Sequence, residues 1–130
     1  MNDIIEYWLE LADYDLQAAR AMLENKMYLY VGFMCHQTIE KALKAVISKG
    51  CAEDEIPPKI HNLVRLSDVS GLTAKMTSEQ SSLLERMNPL NIEARYPDCK
   101  RLIVAKLTND YCQNLIKETE ELFCWIKEQL

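Results

Sequence analysis

The chain has 130 residues, the size of one ordinary domain, and a domain of that length buries roughly two-thirds of the surface its unfolded form exposes. Three glycines and four prolines are few, leucine, alanine, glutamate and lysine are plentiful, and runs of β-branched residues are missing, so the composition excludes a β-rich protein and points to an all-α fold. A net charge of −5 argues against capture of nucleic acid by bulk attraction while leaving room for a local basic patch.

The N-terminus opens on Asn2, Asp3 and Glu6 rather than a basic leader, and no apolar stretch approaches the ~20 residues of a membrane span. A soluble, cytoplasmic protein of one domain, residues 1–130, is the expectation. Ile5, Trp8, Leu9, Ala12, Leu16, Ala19 and Leu23 fall on one side of a first helix that begins just after an N-cap at Asn2 or Asp3. Tyr7 and Tyr14 point away from that row, as exposed aromatics at interfaces do.

A short connection over Asn25 to Met27 leads to a second helix, Tyr28 to Lys49, which Gly50 ends by turning left-handed. Helices joined this tightly run antiparallel. Cys51 to Lys59, with Pro57-Pro58, forms a loop. Ile60, Leu63, Val64 and Leu66 predict a short third helix from Ile60 or His61 to Val69, stopped near Gly71. The capping box Thr77-x-x-Gln80 opens a fourth helix that Pro89 breaks. Asn91 to Leu107 has no clean helical period and is expected to be a long irregular connection of functional weight. A last helix, about Thr108 to Gln129, carries Tyr111, Leu115, Thr119, Leu122 and Ile126 in one row, flanked by Cys112 and Phe123, with Glu118, Glu120 and Glu121 on a solvated face. Three long helices and two short ones make a bundle.

The five cysteines, Cys35, Cys51, Cys99, Cys112 and Cys124, are odd in number and contain no C-x-x-C pair, which fits buried free thiols rather than disulfides or a zinc site. His36, on the border of the second helix's apolar arc, is expected partly buried. Neither histidine belongs to a Glu-x-x-His motif, so no metal is expected.

The most informative stretch is Phe33-x-x-His36-Gln37-x-x-Glu40-Lys41-x-x-Lys44. At 100° per residue Gln37, Glu40, Lys41 and Lys44 gather within about a third of the helix circumference, beside an apolar arc of Gly32, Cys35, Ile39, Ala42, Leu43, Val46 and Ile47. One face packs, and the other offers charges to a partner. Glu40 and Lys44 are also placed to pair with each other at i,i+4, worth a few tenths of a kcal/mol.

Taken in order, Asp13-x-Asp15-Leu16-x-x-Ala19, Phe33-x-x-x-Gln37-x-x-Glu40-Lys41-x-x-Lys44-Ala45, an isolated His61 after the proline loop, Arg95-Tyr96-Pro97 and a terminal Trp125-Ile126 resemble the HEPN domain, the higher-eukaryote and prokaryote nucleotide-binding domain. The resemblance spans nearly the whole chain. It implies an up-and-down antiparallel bundle, similar to the substrate-binding domain of kanamycin nucleotidyltransferase, that commonly forms a homodimer. It also implies a small stand-alone protein working beside a minimal nucleotidyltransferase, often in a toxin-antitoxin type pair.

Other members are metal-independent ribonucleases that use an arginine followed four to six residues later by a histidine. Here only Arg20 precedes either histidine, and His36 lies too far beyond it. The usual general acid/base and phosphate-stabilising pair is therefore missing. The resemblance implies a non-catalytic protein without a cofactor, binding a nucleotide or a partner nucleotidyltransferase through Gln37, Glu40, Lys41, Lys44, His61, Arg95 and Tyr96. Lys41 and Lys44 would offer ammonium groups to phosphate, Arg95 would grip it bidentately and Tyr96 would stack on a base. Two alternatives stay open: a ribonuclease toxin joining His61 with Arg95 in space, and a structural dimer or adaptor.

Overall fold

The computed structural model describes residues 3–51, 56–91 and 103–130. Among the described residues five helices carry the fold: α1 (Asp3–Glu24), α2 (Tyr28–Lys49), α3 (Leu63–Ser70), α4 (Ser78–Met87) and α5 (Asn109–Glu128). Two 3₁₀ turns, Thr73–Lys75 and Asn88–Leu90, flank α4, and residues 103–106 add a further helical turn. Three long helices and two short ones are thus observed as expected, with helix also in part of the connection read as irregular. No described helix is long and apolar enough to cross a membrane.

α1 and α2 are antiparallel because only Asn25 to Met27 joins them, with Lys26 reversing the chain at φ 58°. Asp15 of α1 meets Lys41 of α2, and Trp8 meets Lys44, so advancing along one helix retreats along the other. α5 runs with α2: Asn109 donates to the Tyr28 hydroxyl at 3.2 Å, bringing the two helix starts together. The α3–α4 segment makes that direction attainable by returning the chain along the bundle. Leu90 and Leu107 both reach Gly32, where an added Cβ would lie 3.4 Å from one methyl group of each. The core between these helices holds Leu16, Ile39, Leu43, Leu66, Leu84, Leu115, Phe123 and Ile126.

The ends of the elements follow local chemistry. Thr77 and Gln80 form the expected reciprocal capping box at α4, and Thr108 caps α5 through its hydroxyl. Gly71 ends α3 in the left-handed region, at φ 81°. Gly50, by contrast, is right-handed at φ −92°, contrary to expectation. Tight bonds satisfy the last carbonyls of α2 without a left-handed turn: Gly50 N–H to Ile47 O at 3.0 Å and Cys51 N–H to Ser48 O at 3.2 Å.

α3 also starts later than the apolar pattern suggests. Asn62 is its N-cap, accepting from Arg65 N–H at 3.1 Å, and Asn88 accepts from Leu63 N–H at 2.7 Å. Ile60 and His61 therefore precede the helix, which leaves His61 able to reach back to α2. The described thiols are free and divide: Cys35 and Cys112 are buried as expected, while Cys51 is half-buried and Cys124 exposed. Cys99 lies outside the described residues.

Two outcomes follow. Gly71→Ala forces a side chain into left-handed backbone and should lower stability by about 1–2 kcal/mol, with Gly71→Asn less costly, as read by urea unfolding. Burial pushes the Cys35 thiol up to about 12 and that of Cys112 up to about 11. Against an ordinary thiol, Cys35 then holds about a thousandfold less thiolate at pH 8. Iodoacetamide should alkylate Cys124 in the folded chain and reach Cys35 and Cys112 only after unfolding, as mapped by peptide mass spectrometry.

Candidate functional site

The polar row of α2 is built into the bundle. Glu40 and Lys44 sit one turn apart, and Lys44 Nζ donates to Glu40 Oε2 at 3.1 Å with side-chain exposures of only 9% and 5% for Lys44 and Glu40. The other carboxylate oxygen, Oε1, lies 3.0 Å from His61 Nδ1 and 3.9 Å from His36 Nδ1. One buried carboxylate thus meets a lysine of its own helix and a histidine from the stretch ahead of α3. Gln37 Nε2 lies 3.4 Å from His36 Nδ1 on the next position of the same face.

α1 supplies the opposite wall. Trp8, Ala12, Asp15 and Ala19 recur at i, i+4, i+7 and i+11, so they share one face. The two alanines are fully buried and let α2 approach. Asp15 accepts a hydrogen bond from Lys41 Nζ, and Lys44 Nζ stands 5.7 Å from the Trp8 ring centroid, a cation–π distance. The indole face and the carboxylate together compensate the burial of the Lys44 ammonium.

Of the seven expected site residues, Gln37, Glu40, Lys41, Lys44 and His61 are brought together. Arg95 and Tyr96 lie outside the described residues. The i,i+4 pairing of Glu40 with Lys44 is observed, and His36 is fully buried. The row is not the open charged face expected of it: Lys41 and Lys44 are spent on Asp15 and Glu40, and His61, with a side chain 47% exposed, is the member most open to solvent. Trp8 and Asp15, absent from the expected site, complete this cluster; their register with Ala12 and Ala19 on α1 is the sequence signal that places them on the face toward α2.

A second concavity had no local motif to announce it. α4, the Asn88–Leu90 turn, residues 103–107 and the start of α5 enclose a cleft of about 610 Å³. Its floor is apolar, with Pro89, Leu90, Ile103 and Leu107, and its polar groups include Arg86, Lys106 and Tyr111. Arg86 donates to Glu118 at 2.9 Å, and that hydrogen bond holds its guanidinium above the ordinary arginine range. The expected solvated acidic face on α5 is in part an ion-paired one, with Glu118 on Arg86 and Glu120 on Arg20. No cluster of three or more histidine, cysteine or acidic side chains suited to a metal occurs among the described residues.

Comparison with known proteins adds three findings. The family model for the HEPN domain matches residues 5–129. The crystal structure of TT1696 from Thermus thermophilus is similar across 100% of each chain, with a TM-score of 0.80 at 20% sequence identity, a likeness of fold. No curated protein matches.

Breaking the buried pair should cost more than breaking the rim. Lys44→Met keeps an apolar stem on Trp8 but leaves Glu40 without its lysine, and urea unfolding should show a loss of about 3 kcal/mol. Lys41→Met, at the half-buried Asp15 contact, should cost about 1 kcal/mol.

Proposed function

The chain belongs to the HEPN domain family, and on that premise we propose that it is a recognition protein without nuclease chemistry. It binds a nucleotide, a partner nucleotidyltransferase or both, as a member of a toxin-antitoxin type pair. The α4–α5 cleft is the observation that carries this reading. Small-molecule sites commonly enclose about 300–1,000 Å³, with an apolar lining and a few polar groups that fix orientation, and this cleft has that size and that lining.

The division of labour follows from side-chain chemistry. Arg86, with five N–H donors in a planar fork, and Lys106, a compact ammonium, receive phosphate oxygens. Tyr111 and the apolar floor receive a base by stacking and packing. The family's paired arginine and histidine are missing at the required spacing from the entire sequence, which supports binding over cleavage. Lys41 and Lys44 are held within the fold by Asp15 and Glu40, whereas Arg86, though paired with Glu118, is 43% exposed and keeps further N–H donors, so phosphate recognition falls to it and to Lys106.

Thermal unfolding with each nucleoside mono- and triphosphate tests the reading. A ligand present at 100 times its dissociation constant should add about 2.7 kcal/mol of stability, and Lys106→Ala should remove that gain while leaving the unliganded melting temperature unchanged. Metal-free degradation of RNA, lost in His61→Ala, would instead establish the ribonuclease reading.

A further inference from the structure

α1 carries a second apolar row on its outer side, which the bundle covers only in part: Ile4, Leu11 and Ala18 are half-buried, and Tyr7 meets the Trp8 ring edge-on. Ile4, Tyr7, Leu11, Tyr14, Ala18 and Ala21 alternate by three and four along the helix, the 3.5-residue repeat with which one helix lays a seam against another. At 100° per residue this row lies more than a quarter turn from the core row of Ile5, Ala12, Leu16 and Ala19. Tyr14 is 71% exposed and Tyr7 54%, while Leu11 and Ala18 are half-buried. Single exposed apolar residues are ordinary; Tyr7 and Tyr14, exposed in one row of coiled-coil register with half-buried Ile4, Leu11 and Ala18, make a continuous stripe.

The charge beside the seam specifies what fits it. Asp3, Glu6, Glu10, Asp13 and Glu24 occupy one flank and are all exposed. Asp13 accepts a hydrogen bond from Gln17, and none of the five is ion-paired among the described residues. The single cation of α1, Arg20, is held by Glu120 at 2.6 Å. Flanking charges of a helical seam choose its partner and orientation.

A second copy fits poorly. Antiparallel two-fold pairing sets the acidic flank against itself. Parallel pairing sets it against the Trp8, Asp15 and Met22 flank, where α1 has no cation.

We infer that the outer face of α1 is a docking seam for a protein partner that presents an amphipathic helix with lysine or arginine along its flank. The inference rests on the partner half of the function proposed above and assigns that half to a surface distinct from the α4–α5 cleft.

The test uses two synthetic 22-residue helical peptides with leucine and isoleucine at the seam positions, one flanked by lysine and the other by glutamate, titrated onto the full chain by fluorescence anisotropy. The lysine peptide should bind and the glutamate peptide should not, with affinity falling as salt rises. Tyr14→Glu should weaken binding about tenfold or more at unchanged melting temperature. The double charge reversal Glu10→Lys with Asp13→Lys should transfer preference to the glutamate peptide. Equal affinity for the two peptides, no binding of either, or a dimer in sedimentation equilibrium that Tyr14→Glu dissociates would each overturn the inference. The assay contains no nucleotide, so its failure leaves the cleft standing, and failure of nucleotides to stabilise the chain leaves the seam standing.

Discussion

The burial of one carboxylate, Glu40, constrains how the rest of the bundle meets. A charge taken out of water is costly unless it is paired and hydrogen-bonded, so Glu40 requires Lys44 on one oxygen and His61 on the other. Lys44 in turn needs a surface that tolerates a cation, and the Trp8 ring of α1 provides it. Each requirement fixes a piece of backbone. The α1–α2 register places Trp8 and Asp15 opposite their lysines, and the Asn62 cap holds His61 outside α3, where it reaches α2. A purely apolar interface between the two helices would tolerate sliding; this one has a register.

That constraint also decides where recognition takes place. A row of Gln37, Glu40, Lys41 and Lys44 looks like a phosphate-binding face when read as a helical wheel, yet in the fold its cations already have anions. Groups more open to solvent stand elsewhere, Arg86 among them although it pairs with Glu118. Arg86 and Lys106 open onto an apolar cleft between α4 and α5, and the tyrosines of α1 face outward beside an acidic flank. One helix pair thus serves as a rigid scaffold, and the surfaces around it carry the chemistry.

Much of this architecture is legible in the residues. The capping box at Thr77 and the stop at Gly71 follow from turn and cap chemistry acting within a few positions, and they are observed as read. Other readings fare differently. Gly50 permits a left-handed turn, but short-range bonds to Ile47 and Ser48 make it unnecessary. The start of α3 moves to Leu63 because Asn88, 26 residues beyond Asn62, joins the cap. Cys124 falls on the solvent side of α5. The helical wheel identifies the polar row of α2 but not what faces it. The α1 row of Trp8, Ala12, Asp15 and Ala19 contains that information, which emerges only when the two helices are laid together. The α4–α5 cleft depends on chain returning from far along the sequence and has no local signature.

The central claim is that the Glu40–Lys44 pair is a coupled structural hub. A double-mutant cycle with Glu40→Gln and Lys44→Met, measured by urea unfolding, tests it most directly, because it separates the pair's mutual energy from the effects of each substitution alone. The account predicts a coupling of about 1–3 kcal/mol, with the double variant more stable than the sum of the two losses implies. A coupling below about 0.5 kcal/mol, the range of independent sites, would contradict it and return the polar row of α2 to the role of a face whose charges await an external partner.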